Sequence, residues 1–228
     1  MKNILIIGGS KGIGNEILKH QSDLGNKCFN ISRSNLNPSL NNVEDFNLDV
    51  IKDELPEIEN VDVIVYCPGS INLKPISQLN IEDFKADFEI NVLGAVRVIK
   101  NYLFKLKRSQ NGSIVLFSTV AVNQGMPFHS SIATSKGGIE GLTKSLAAEL
   151  SPKIRVNCIA PTLTNTDLAK NILRNDQALE NISNRHPLKK ICEPKNISSM
   201  VNYLLTDDAD RITGQIFNID SGMSSIKL

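Results

Sequence analysis

Three glycines, Gly8, Gly12 and Gly14, follow the apolar run Ile4–Ile7 and open an amphipathic stretch that begins at Ile13. The spacing G-x-x-x-G-x-G suits a tight turn whose backbone N–H groups can approach a diphosphate, with the positive end of the next helix behind them. Ser10 and Lys11 fill the turn. The second apolar run, Cys28–Ile31, ends in Ser32-Arg33-Ser34 with no acid. A carboxylate there would accept from a ribose 2′-hydroxyl and repel a 2′-phosphate. Arg33, helped by Lys11, offers a 2′-phosphate charge-assisted hydrogen bonds instead. These residues point to a nicotinamide dinucleotide and favour NADP(H) over NAD(H).

Other reactive side chains are sparse. Four cysteines, Cys28, Cys67, Cys158 and Cys192, have no CxxC or zinc-like spacing. Cys28 and Cys158 lie in apolar runs and read as buried small hydrophobes. No metal site is expected. His20 and His186 read as surface residues, and Tyr66 stands at the end of a strand where cofactor contacts are expected.

The elements that must hold these residues alternate. Short β-branched runs, Ile4–Ile7, Cys28–Ile31, Val61–Tyr66, Ser113–Phe117, Ile154–Ile159 and Gln215–Ile219, read as strands, with a weaker one at Val43–Leu48. Between them Ile13–Leu24, Ile81–Lys107, Ser131–Leu150 and Lys195–Leu205 read as helices, with Ser130 and Ser131 as candidate N-caps of the third. Such alternation predicts a doubly wound parallel sheet of Rossmann type, three layers α/β/α, as a single domain over 1–228. Residues 163–190 are the least regular stretch and read as a flap over the substrate, with Leu163, Leu168, Ile172 and Leu173 giving it an apolar lining.

Bulk properties narrow the partners. The chain carries 25 basic and 24 acidic residues, net +1, without a basic block, so neither nucleic acid nor a membrane surface is expected. It has no Trp and few aromatics for base stacking. No apolar run reaches the length of a membrane span, and the N-terminal run stops at Gly8, too short for a signal peptide. A small-molecule substrate in a reduced, cytoplasmic setting is the expectation.

The whole chain resembles the short-chain dehydrogenase/reductase family. Ile7-Gly8-Gly9-Ser10-Lys11-Gly12-Ile13-Gly14 looks like the family's Thr-Gly-x-x-x-Gly-x-Gly turn. Leu48-Asp49-Val50 looks like its adenine-contacting Asp-Val. Tyr66-Cys67-Pro68-Gly69 takes the place of Asn-Asn-Ala-Gly and keeps only the glycine. Asn91 matches the active-site Asn, and Lys136-Gly137-Gly138-Ile139 through Leu150 matches the long helix that carries the catalytic Lys. Arg155 through Pro161 resembles the strand leading to the family's Pro-Gly, with Thr162 replacing Gly. Thr166 falls where the family places a Thr near the nicotinamide, and Ile212 through Gly222 resembles the closing strand. The resemblance implies cofactor contacts from Gly8, Ser10, Lys11, Gly12, Ile13, Gly14, Arg33, Asp49, Val50, Cys67, Pro68 and Gly69. Asn91, Lys136, Pro161 and Thr166 complete the set. It also implies a homodimer or homotetramer through the long helix, whose Gly137, Gly138, Ala147 and Ala148 would allow close contact.

The pattern breaks at the chemistry. The family's proton donor is the Tyr of Tyr-x-x-x-Lys; four residues before Lys136 stands Ile132. The family's Ser falls on Thr119, thirteen residues earlier, and no Tyr occurs between Asn111 and Leu150. Isoleucine has no proton to give, and general acid catalysis is typically worth about 10²–10⁴-fold. Thr119 can still hydrogen-bond a substrate oxygen, and Ile132 would face the substrate. His129, three residues before Ile132, shares its helix face if the helix has begun there, and is the candidate surrogate acid. The reading is an NADP(H)-dependent oxidoreductase of a small carbonyl or alcohol with non-standard proton donation, using Asn91, Thr119, Lys136 and His129. The alternatives are a dinucleotide-binding isomerase or dehydratase, or a catalytically impaired relative serving as a cofactor-binding partner or subunit.

Overall fold

Strand geometry puts successive side chains on opposite faces of one sheet, so the unbroken apolar runs bury both faces. A computed structural model describes residues 1–227 and has seven strands: β1 (Asn3–Ile7), β2 (Lys27–Ser32), β3 (Val43–Asn47), β4 (Val63–Tyr66), β5 (Gly112–Phe117), β6 (Ile154–Pro161) and β7 (Ile216–Ile219). They run parallel in the order β3-β2-β1-β4-β5-β6-β7. The direction of winding reverses between β1 and β4, so the crevice expected at a switch point opens above their carboxyl ends.

The helices are α1 (Gly12–Asp23), α2 (Ile81–Phe88), α3 (Gly94–Arg108), α4 (Ala121–Gln124), α5 (Ser130–Leu150), α6 (Asp176–Ser183) and α7 (Pro194–Leu205). Leu5, Ile7, Ile64 and Tyr66 enter one core with Val98 and Tyr102 of α3 and Ile139 of α5. Ile4, Ile6, Val63 and Val65 enter the other with Ile17 and Leu18 of α1 and Ile197 and Val201 of α7. Each such fully buried side chain contributes roughly 1.5–3 kcal/mol. Both faces of the central strands are therefore covered, and the three-layer doubly wound fold is as the sequence implies.

Several boundaries move for identifiable reasons. The strand read at Val61–Tyr66 starts at Val63, because Asp62 turns its carboxylate back onto Asn3 N–H and the Ser109 hydroxyl. The run Ile81–Lys107 is interrupted by a π-turn at Glu89–Leu93, and Asn91 lies within it. Such bulges are common at functional positions. Ser130 and Ser131 do not cap α5: His129 holds the N-cap position, and the Ser131 hydroxyl donates instead to the buried Asp87 carboxylate at 2.5 Å. The irregular stretch is partly structured. It holds a 3-10 turn at Asp167–Ala169 and α6, and is closed by a bridge between Thr164 and Cys192.

Gly138 and Ala147 are not free for a partner helix. A Cβ on Gly138 would lie 3.3 Å from Val92 Cγ2, and Ala147 is buried inside the chain. Among the described residues no helix is long and apolar enough to cross a membrane, and no cluster of side chains has a metal-binding arrangement.

Candidate active site

The first half of the site is a cavity of about 940 Å³ at the carboxyl ends of β1 and β2. Thirteen of the residues singled out from the sequence line it: Gly8, Ser10, Lys11, Gly12, Ile13, Gly14, Arg33, Asp49, Val50, Cys67, Pro68, Gly69 and Thr166. Its glycines are required by geometry. Gly8 and Gly12 have φ of +81° and +56°, and a Cβ on Gly14 would stand 2.3 Å from the Gly8 carbonyl oxygen. The start of α1 has no side-chain cap and no acid in its first turn. By contrast α2 carries a full capping box, Asn80 with Asp83, and at α7 the Asn196 amide oxygen accepts from Glu193 N–H at 2.9 Å. Uncapped first-turn amides beside backbone without side chains form an anion cradle.

A buried polar chain shapes the loop after β2. Asn30 Oδ1 accepts from Gly9 N–H at 2.8 Å, while its Nδ2 donates to Asp45 at 2.6 Å and to Ser32 at 2.9 Å. Ser32 donates on to the Ser34 carbonyl, and Ser34 to the Ser10 hydroxyl. Arg33 is thereby held on a loop tied to the glycine turn, its side chain exposed beside the cavity. Ser34, which follows Arg33, lines it too, and so does Lys52, which escaped the sequence reading because it lies in no motif.

The second half is a cavity of about 670 Å³ that shares Ile13, Cys67, Gly69, Thr166 and Leu168 with the first. Thr119, His129, Ile132, Lys136 and Pro161 line it. Pro161 and Lys136 line this cavity and not the glycine-turn one. Ile132 is 6% exposed. Lys136 is buried, and its Nζ donates to the Phe117 carbonyl at 2.8 Å. Burial pulls its pKa down to about 8, with the neighbouring Cys158, Cys67 and Asp87 acting in the opposite direction.

Asn91 is not in the cavity wall but directly behind it. Its Nδ2 donates to the Asp87 carbonyl at 2.7 Å, with the Ser135 and Ser70 hydroxyls at 3.2 and 3.3 Å. Because a carbonyl only accepts, this fixes the amide, and its Oδ1 is left buried without a partner. A Cβ on Gly69 would lie 3.4 Å from that oxygen and 3.5 Å from Lys136 Nζ, so glycine is what opens this corner. Asp87 ties the corner together by accepting from Ser70 and Ser131, both at 2.5 Å. Sequence reasoning missed it, since a lone Asp in an amphipathic helix reads as solvated.

The other candidates separate. Thr119 is half-buried, and its oxygen accepts weakly from Ala121 N–H at 3.3 Å, which leaves the hydroxyl proton free. The His129 Nδ1 meets the Pro127 carbonyl at 2.7 Å and so carries the proton, leaving Nε2 as a lone pair. Tyr66 lies away from both cavities: its hydroxyl donates to the Ile90 carbonyl at 2.6 Å in the core, and burial raises its pKa. His20 is half-buried against Ser198. His186 is not a surface residue. It is 1% exposed, its Nδ1–H donates to the Ile182 carbonyl, and its Nε2 accepts from the Thr162 hydroxyl at 2.9 Å. Thr162 fills the place that the resemblance gives to glycine, and the pair lines the second cavity. Twenty-four residues of chain separate them, which hid the pairing.

Comparison with known proteins agrees with this geometry. The family model for enoyl-(acyl carrier protein) reductase matches residues 45–224. A tropinone reductase homolog of Arabidopsis thaliana is 28% identical over 98% of this chain and 92% of its own. A short chain dehydrogenase family protein from Francisella tularensis subsp. tularensis SCHU S4 superposes with a TM-score of 0.90. It is 27% identical, with 99% of this chain and 100% of that one covered. The structure of ElxO with NADP bound gives the same TM-score, identity and coverage.

Proposed function

The chain belongs to the short-chain dehydrogenase/reductase family of oxidoreductases, and from that premise we propose that it is NADP(H)-dependent and acts on a small carbonyl or alcohol without a tyrosine. The observation that carries this reading is the junction at Gly69. There the glycine-turn cavity runs into the cavity walled by Thr119, Ile132 and Lys136.

The residues fit the dinucleotide. The φ-positive glycines and the uncapped start of α1 are features that a bound diphosphate would use, and Lys136 stands in the wall that a nicotinamide ribose would meet. Lys11, Arg33 and Ser34 would hold a 2′-phosphate, and no carboxylate follows β2 to repel it. The NADP bound to ElxO, a 27% identical neighbour, supports that preference. When bound, the dinucleotide supplies the hydride. This chain's residues do the rest. Thr119 donates its free hydroxyl proton in a hydrogen bond to the substrate oxygen. Lys136, mostly protonated below its pKa of about 8, holds the ribose and adds positive potential beneath that oxygen. Ile132 orients the substrate but gives no proton, so the proton comes from solvent, directly or relayed through His129 Nε2 once that lone pair has accepted it.

The test is oxidation of NADPH, followed by its absorbance, across a panel of small ketones and aldehydes. Turnover of at least one carbonyl is expected, and none across the panel overturns the reading. His129→Ala then assigns the proton route: lost turnover places it through the imidazole, retained turnover through water. A second reading is favoured by Ile132 itself, a buried aliphatic where a phenol would stand. In it the chain binds the cofactor and serves as a partner or subunit without turnover. Small residues exposed on α5, Gly141 and Ala148, leave room for a second copy.

A further inference from the structure

The cavity around Ile132 has a one-sided charge. Its wall contains Lys136 and Arg185 and no Asp or Glu, whereas the adjoining glycine-turn cavity balances Lys11, Arg33 and Lys52 with Asp49, Glu89 and Asp167. Arg185 makes no ion pair among the described residues. Its side chain is exposed, at the mouth of the cavity it lines, but the backbone just after it is fixed. The next residue, His186, is 1% exposed, with both ring nitrogens bonded, one to Ile182 and one to Thr162 at the end of β6. Leu188 N–H is bonded to the Ser221 carbonyl beyond β7. The chain that follows Arg185 is thus anchored to the ends of β6 and β7.

The rest of the wall is apolar and partly uncovered. Leu163, Ile172 and Ile182 line it, and Phe128 and Leu168 are each 55% exposed at its edge. A cavity of about 670 Å³ lies within the range of small-molecule sites. A hydrophobic space with a guanidinium and no opposing carboxylate selects an apolar anion.

We propose that this cavity takes an aliphatic monocarboxylate of medium chain length, its carboxylate paired with Arg185 and its alkyl body against the leucines and isoleucines of residues 163–182. The proposal rests on the reading that the Ile132 cavity is the substrate side of the site. It narrows the substrate class to carbonyl or hydroxyl compounds that also bear an acid group.

The probes are octanoate and 1-octanol, titrated calorimetrically into the full-length protein, with and without saturating NADPH. Octanoate is expected to bind at least about fivefold more tightly than octanol, the size of a favourable partly exposed ion pair. Arg185→Ala removes that preference and keeps octanol and NADPH affinities within about twofold. Arg185→Lys keeps most of the preference, since it restores the charge. Equal binding of the two probes, binding of neither, or an undiminished preference in Arg185→Ala overturns the proposal. Failure of the dinucleotide reading shows up separately, as absent NADPH binding in protein that still distinguishes octanoate from octanol.

Discussion

The two cavities meet at Gly69 but are built in different ways. Along the glycine turn the groups facing the ligand are backbone amides, and side chains matter there mainly by being absent at Gly8, Gly12 and Gly14. Around Ile132 the groups are individual side chains, Thr119, Lys136, Thr162, Arg185 and His186, brought in from the loops just after β5 and β6, from α5 and from the segment after α6. A backbone cradle tolerates little change, because a Cβ there meets a carbonyl. A wall of side chains can be changed one residue at a time without disturbing the fold. That difference is consistent with a chain that matches the family's glycine turn but has Ile132 where the resemblance places a tyrosine.

The contrast can be broken most severely at Gly14. Gly14→Ala places a methyl 2.3 Å from the Gly8 oxygen. It is expected to abolish dinucleotide binding in a fluorescence titration and to cost about 1–3 kcal/mol in denaturant unfolding. Ile132→Tyr probes the other half. If Asn91 and Lys136 are otherwise in place, carbonyl reduction rises about 10²-fold, the low end of general acid catalysis, while NADPH affinity stays within twofold. An unchanged rate would mean that more than the phenol has been lost.

Arg33→Ala is expected to weaken NADPH about tenfold and leave NADH unaffected, since only the 2′-phosphate meets the guanidinium. The smallest effect is on stability. Lys136 has a pKa near 8 when folded against 10.5 when unfolded, so the unfolded chain holds more protons between those values. Stability therefore rises with pH through that window, and the burial penalty is complete below about pH 8. Lys136→Met should raise stability at pH 7 by about 1–2 kcal/mol and flatten that pH dependence, while ending turnover.

How much of this was readable from the chain follows the same divide. The doubly wound parallel sheet, the glycine turn and the place of Arg33 after the second strand follow from local spacing and the alternation of strand and helix, whereas the strand order does not. Ile132 was legible as a departure, because its distance from Lys136 is fixed by one helix. The Thr162–His186 pair, Asp87 with its two serine donors, and the anchored chain after Arg185 were not. Each depends on residues 17 or more apart that meet only after the sheet has wound. His186 in particular looked like a solvated residue in an irregular stretch, and it is held between Ile182 of α6 and Thr162 at the end of β6. The π-turn at Asn91 also left no mark in the hydrophobic period, since it adds a single turn inside one long helical run.

The central claim is that the glycine-turn cavity grips a phosphorylated nicotinamide dinucleotide. Titrating the purified protein with NADPH and with NADH, and following nicotinamide fluorescence, tests it most directly. Saturable binding of NADPH, at least about tenfold tighter than NADH, is the predicted result. No saturable change with either dinucleotide would contradict the account.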